Sequence, residues 1–288
     1  MERIVRVLKP LDTRKPPFLS FHGREYVDFS SNDYLGLSNH PQLINAVKLA
    51  AEEFGVSSSA SRLLSGDFKL FHQLETRVAQ FKGKESALVF NSGYQANVGI
   101  LSALVGRQDA VFLDKLAHAS LVDGALLSGA KLFRFQHNDV THLSILLKNQ
   151  RSKFNQALIV TESVFSMDGD KALLKEIASI KEKFNCSLFV DEAHATGIFG
   201  VSGSGVVSTL GLETKVEYIM GTFSKALGSF GAYLACSQET KDFLVNNCRS
   251  FIYTTALPAL VVAANICAID LVCNEGFRRE TLLDNADY

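Results

Sequence analysis

From about residue 85 onward, short apolar runs alternate with stretches in which apolar positions recur every three or four residues. Seven of these runs read as strands: 87–90, 110–113, 131–135, 157–161, 187–191, 218–222 and 231–235. Between two of them, Leu173, Leu174, Ile177, Ile180 and Phe184 fall near helical spacing. Continuous apolar strands separated by amphipathic helices predict an α/β protein, with a mainly parallel seven-stranded sheet between helices. Ligands of such sheets sit beyond the carboxyl ends of the strands. Asn91-Ser92-Gly93, Asp114, Glu162, Asp191 and Thr222-Phe223-Ser224-Lys225 all fall there. Ahead of this core lie a turn-rich segment, 29–37, and a helix from Pro41 to about Phe54. The run 55–66 is built of small residues, but Arg62, Leu63 and Leu64 within it argue for a structured loop over a solvated linker. The apolar run 256–273 is broken by Pro258, Asn265 and Asp270. A membrane span needs about twenty largely apolar residues, so this run reads as a buried or subunit-contact helix.

Composition narrows the picture modestly. The 288 residues are 47% hydrophobic and 20% charged, ordinary for an enzyme. A net charge of −1 offers no electrostatic footprint for nucleic acid. Cys186, Cys236, Cys248, Cys267 and Cys273 include no CxxC pair and no zinc spacing. Their odd number and apolar neighbours predict reduced, mostly buried thiols, a cytoplasmic protein and no metal site. The first ten residues have no apolar core of signal-peptide length, and neither a leader nor a membrane anchor is expected.

Candidate chemistry gathers at the predicted strand ends. Lys225 lies among small residues in Gly221-Thr222-Phe223-Ser224-Lys225-Ala226-Leu227-Gly228, just after an apolar strand. Most lysines are simply solvated; one held out of water or near a cation loses basicity and can form a Schiff base with an aldehyde. Asp191 closes the run 187–191, and a buried carboxylate there needs a partner, such as a protonated ring nitrogen. His194 follows on the same loop. A lysine to form the imine and an acid to keep the ring an electron sink are what pyridoxal phosphate (PLP) requires. Asn91-Ser92-Gly93-Tyr94-Gln95, between a strand and a helix, offers amides and hydroxyls to a phosphate, and Thr222 and Ser224 add two hydroxyls. His118 could stack on a ring and Ser166 could reach its oxygen, whereas Asp168-Gly169-Asp170 reads as a plain turn.

Taken in chain order, these motifs resemble the α-oxoamine synthases, a branch of the fold-type I PLP enzymes. The matching stretches begin at Ser30-Ser31-Asn32-Asp33-Tyr34-Leu35-Gly36-Leu37, Ser61-Arg62-Leu63-Leu64-Ser65-Gly66, Asn91, Thr161, Val190 and Gly221, and span about residues 25–260. The resemblance implies decarboxylative condensation of L-alanine with a pimeloyl-type thioester, a step in biotin synthesis, with a glycine-using relative as the alternative. It implies Lys225 as the cofactor-bearing lysine and base, Asp191 on the pyridine nitrogen, His194 on the phenolic oxygen and His118 stacked on the ring. Gly93, Tyr94 and Thr222 would hold the phosphate, Ser166 would lie near the ring oxygen, and Asn32 and Arg6 would contact the acyl-thioester. Tyr253-Thr254-Thr255 resembles a segment that reaches the cofactor phosphate of a partner subunit, which implies a homodimer with shared sites.

Two departures stand out. Ser58-Ser59-Ala60 replaces glycines usual in the family, which predicts a stiffer or reshaped loop. Family members also continue into a smaller domain whose arginine binds the substrate carboxylate, and Arg278 and Arg279 lie too early to serve. The expected organisation is an N-terminal segment (1–45), a PLP-binding large domain (46–275) and the start of a truncated small domain (276–288). Such a chain would keep its cofactor site but have weak or no turnover, or serve as a PLP-binding subunit.

Overall fold

The computed structural model describes residues 6–287. Its centre is a seven-stranded sheet of β4 (Ser86–Phe90), β5 (Ala110–Asp114), β6 (Lys131–Phe135), β7 (Ala157–Glu162), β8 (Ser187–Asp191), β9 (Tyr218–Thr222) and β10 (Ala232–Cys236). The first three strands, β1 (Thr13–Lys15), β2 (Phe18–Phe21) and β3 (Arg24–Val27), form a separate antiparallel sheet. In the large sheet the order is β4-β10-β9-β8-β7-β5-β6. Six of the seven strands run in one direction, and β10, antiparallel to both its neighbours, runs in the other.

All seven expected strands are present within a residue or two. Apart from the edge strand β6, which is partly exposed, their apolar character follows from burial on both faces. Ala110, Phe112, Leu188 and Val190 enter one core cluster. Val111, Leu113 and Phe189, the residues between them, enter the other. The helices that cover these faces are α1 (Pro41–Phe54), α2 (Lys69–Lys82), α3 (Gly93–Leu104), α4 (Ala119–Ser128), α5 (Val140–Gln150), α6 (Leu174–Lys183), α7 (Val206–Thr209), α8 (Gln238–Asn247), α9 (Arg249–Ile252), α10 (Ala259–Asn274) and α11 (Phe277–Asp287).

The apolar run 256–273 becomes α10, which packs on α1 and α2 and buries Val262, Ala268, Ile269 and Val272. No single helix among the described residues is long and apolar enough to cross a membrane. Helix α1 runs through position 45/46, so the N-terminal segment enters the core without a break there. The loop 55–66 is ordered around Arg62, which bonds Asp67 and Glu75 and lies 4.4 Å over the Phe71 ring.

Candidate active site

Four strands end side by side on polar residues: β5 on Asp114, β7 on Glu162, β8 on Asp191 and β9 on Thr222. A parallel sheet opens its connecting loops at these ends. Those loops carry His118, His194 and Lys225, and with the first turn of α3 they line an open cleft of about 570 Å³. Gly93, Tyr94, His118, Asp191, His194, Thr222, Ser224 and Lys225, all singled out in the sequence, line this one cleft. Asn97, Ser120 and Glu162 join them.

Asp191 is 5% exposed. Its Oδ1 accepts the Ala193 amide at 2.8 Å, and its Oδ2 accepts Asn97 Nδ2 at 2.8 Å. Asn97 donates a second bond to Ser120 Oγ at 3.0 Å, while its Oδ1 has no partner. Among the described residues no basic side chain forms an ion pair with Asp191. A buried carboxylate served by neutral donors alone is suited to a cationic ligand atom.

Lys225 and His194 face each other, with Nζ 2.9 Å from Nε2. Burial lowers the basicity of the Lys225 amine, against the opposing pull of Asp191 and Glu162. Burial and the Lys225 charge bring the His194 imidazole down to about 4, so it is uncharged at neutral pH. Glu162 Oε1 accepts the His118 amide at 2.6 Å. Burial and the Asp191 charge push Glu162 up to about 8, which keeps its carboxyl protonated at neutral pH. His118 caps α4, and its Nδ1 lies 2.8 Å from Ser120 Oγ.

The opening of α3 leaves backbone amides without intrahelical partners at the cleft. Ser92 Oγ caps the Gln95 amide at 3.2 Å, and the first amides, of Gly93 and Tyr94, precede any intrahelical acceptor. Any side chain at Gly93 would bring a Cβ within 3.1 Å of Met220 Cε. Tyr94 is half exposed and bonds Asp123. The Thr222 hydroxyl donates to the Gly231 carbonyl at 2.7 Å and lies 3.1 Å from Ser224 Oγ, so it is already engaged within its own loop.

Four expected residues stand outside the cleft lining. Ser166 is exposed on a turn closed by the Gly169 amide on the Phe165 carbonyl. Thr254 accepts Asn91 Nδ2 at 3.1 Å and lines a separate small cavity with Arg62 and Phe251. Asn32 is exposed and accepts the Tyr34 hydroxyl at 3.2 Å. Arg6 is exposed near the start of the described residues. Two residues were unassigned in the sequence reading. Asn97 sits one helical turn after Gly93, on the same face of α3, and that spacing was its available signal. Tyr34, whose hydroxyl lies 2.9 Å from His194 Nδ1, comes from a segment far away in sequence.

The fold is that of the fold-type I PLP-dependent transferases, and residues 24–288 match the family model described as aminotransferase class I and II. The chain belongs to that family. Among curated relatives, the 8-amino-7-oxononanoate synthase of Geotalea daltonii is 51% identical over 269 residues, covering 93% of this chain and 68% of the relative. That of Pelobacter propionicus is 49% identical over 284 residues, covering 98% and 72%. Of solved structures, serine palmitoyltransferase from S. paucimobilis superposes with a TM-score of 0.92 at 35% identity, covering 95% of this chain and 69% of that one. An 8-amino-7-oxononanoate synthase from Francisella tularensis superposes with a TM-score of 0.76 at 31% identity, covering 88% and 71%.

Proposed function

We propose that this chain carries out the reaction for which its curated relatives are named: PLP-dependent condensation of L-alanine with a pimeloyl-thioester to 8-amino-7-oxononanoate, with release of the thiol and carbon dioxide. The observation that carries this reading is one cleft joining the Lys225 amine, the buried Asp191 carboxylate and the amide cradle of α3. These residues fit PLP. A weakened amine suits an aldehyde, a carboxylate without a basic partner suits a pyridinium nitrogen, and free helical amides suit a phosphate.

When bound, PLP supplies an electron sink for negative charge at the substrate carbon. The chain's residues supply the rest. Asp191 would hold the ring nitrogen in its protonated form, and Asn97 and the Ala193 amide fix that carboxylate's direction. His118, which lines the same cleft, would cover the ring face. His194, uncharged, presents Nε2 to the Lys225 amine. Burial leaves a larger share of Lys225 as free amine at neutral pH, and Nζ is the base that takes the α-proton of the amino acid. Glu162, protonated, adds no second negative charge beside Asp191 while anchoring the His118 loop.

Since Thr254 lies off its own cleft, we place it at the cleft of a partner in a homodimer, as the family resemblance implies. Five free cysteines are consistent with a cytoplasmic protein.

The test is product formation by the PLP-loaded chain, followed as thiol release and carbon dioxide. L-Alanine with pimeloyl-thioester is expected to exceed glycine or L-serine by at least tenfold. L-Serine with palmitoyl-thioester is included because a relative sharing this fold is named serine palmitoyltransferase. Faster turnover with another pair, or none with any, overturns the assignment.

A further inference from the structure

The turn holding Tyr34 is tied down by hydrogen bonds and burial. Asp33 Oδ1 accepts the Leu37 amide at 2.9 Å, and its Oδ2 accepts Ser38 Oγ at 2.6 Å. Leu35 and Leu37 on either side of Gly36 are buried. The same turn is wedged against both loops that carry the cleft's basic groups. At Gly228, three residues after Lys225, a Cβ would fall 2.4 Å from the Ser38 amide nitrogen. At Gly197, three residues after His194, a Cβ would lie 3.6 Å from Leu35 Cδ1. From this platform the Tyr34 hydroxyl reaches His194 Nδ1 at 2.9 Å, while the other ring nitrogen, Nε2, is 2.9 Å from Lys225 Nζ.

We propose that Tyr34 is a positioning residue, whose hydroxyl fixes the ring of His194 so that Nε2 stays on the Lys225 amine. The hydrogen bonds allow a consistent direction. An uncharged imidazole has one N–H. If the lysine donates to Nε2, that proton sits on Nδ1 and is donated to the Tyr34 oxygen. The phenolic proton is then free for Asn32 Oδ1, 3.2 Å away. The groups acting on the imidazole from the surrounding elements are Lys225, Asp191 and His118. Among the described residues none of these bonds Nδ1; Tyr34 alone holds that side. Without the hydroxyl the ring can turn about its side-chain bonds and the Nε2–Nζ contact is lost. The catalytic consequence rests on the function proposed above, but the positioning itself does not.

Tyr34→Phe removes the hydroxyl and keeps the ring, whose centroid is 6.2 Å from that of His194. In the cofactor-free protein at neutral pH, nitrogen NMR of the His194 side chain is expected to show a single Nδ1–H tautomer, and a mixture of both in Tyr34→Phe. In the PLP-loaded enzyme the same variant is expected to lose roughly 10- to 100-fold in kcat, the scale of a slightly misplaced group, with KM within about twofold. A melting temperature close to the parent's shows that the fold is intact. An unchanged tautomer and an unchanged kcat overturn the proposal. If the parent turns over no substrate, the functional reading fails while the tautomer result still decides the role of Tyr34. If Tyr34→Phe does not fold, difluorotyrosine at position 34 makes the phenol more acidic without changing its shape. A shift of the His194 Nδ1 resonance then supports the contact, and an unmoved resonance overturns it.

Discussion

Charge without water sets the rules at the level of single residues here. Lys82 has a side chain 1% exposed, and Nζ donates to Glu192 Oε2 at 2.8 Å, Thr196 Oγ1 at 3.0 Å and the Ser204 carbonyl at 2.5 Å. All three ammonium protons are matched, and Glu192 also accepts the Val207 amide at 2.8 Å. Lys82→Met strands the buried Glu192 charge, and urea unfolding is expected to show a loss of about 3–5 kcal/mol; a loss under about 1 kcal/mol contradicts this. Two groups in the cleft give the cofactor-free protein a pH signature. Glu162, raised from 4.5 to about 8, holds a proton that the unfolded chain releases between those values, so its contribution to stability is lost as pH rises through that window. His194, lowered from 6.5 to about 4, behaves oppositely: its contribution is present above pH 6.5 and lost as pH falls toward 4. Glu162→Gln keeps an acceptor for the His118 amide and removes the titration, so the fall in melting temperature between pH 6 and 9 is expected to flatten. An unchanged slope contradicts the upward shift of the Glu162 carboxyl. That Lys225, Asp191 and His194 would gather at one place was legible in the sequence, because each lies at or just past the end of an apolar strand, where a parallel sheet opens its loops. Tyr34 was not, since only tertiary packing brings it 160 positions along the chain to His194.

Elements were legible where periodicity was strong. Six strands of the large sheet were legible because burial makes them almost continuously apolar; the edge strand β6, KLFRF and partly exposed, showed instead through its Leu132, Phe133 and Phe135. The helix α2 went unassigned despite Phe71, Leu74 and Val78 on one face, because Lys69, Gln73, Glu75, Thr76 and Arg77 interleave with them. The small sheet β1–β3 also went unassigned: its strands are three or four residues long and mostly exposed, so no face alternates. The loop 55–66 carries side chains at a tight place. Ser59 adopts φ 53°, a left-handed conformation that costs a side-chain-bearing residue roughly 1–2 kcal/mol. Ser58 meanwhile bonds the Leu257 carbonyl at 2.5 Å and ties the loop to the start of α10. Ser59→Gly is therefore expected to raise the melting temperature by about 2–4 °C. A lower melting temperature would show that the loop is not strained at that position.

Across the whole molecule, the sheet's two faces belong to separate core clusters, and the cleft opens where β5, β7, β8 and β9 end together. Residues from 93 to 225 meet there only because the crossovers bring those strand ends side by side. The sequence order of the strands could be read in advance; the spatial order β4-β10-β9-β8-β7-β5-β6 could not, because apolar strands carry no label for their neighbours. The chain covers 68% and 72% of the two relatives named above. The candidate site described here lies within that shared span. The most direct measurement is therefore at Lys225: PLP is added to the purified protein, the visible spectrum is recorded, and borohydride reduction is followed by peptide mass mapping. A visible imine band is expected, with a reduced pyridoxyl adduct on Lys225 that is lost in Lys225→Ala. No band and no adduct, or an adduct spread over surface lysines and unaffected by Lys225→Ala, would contradict this.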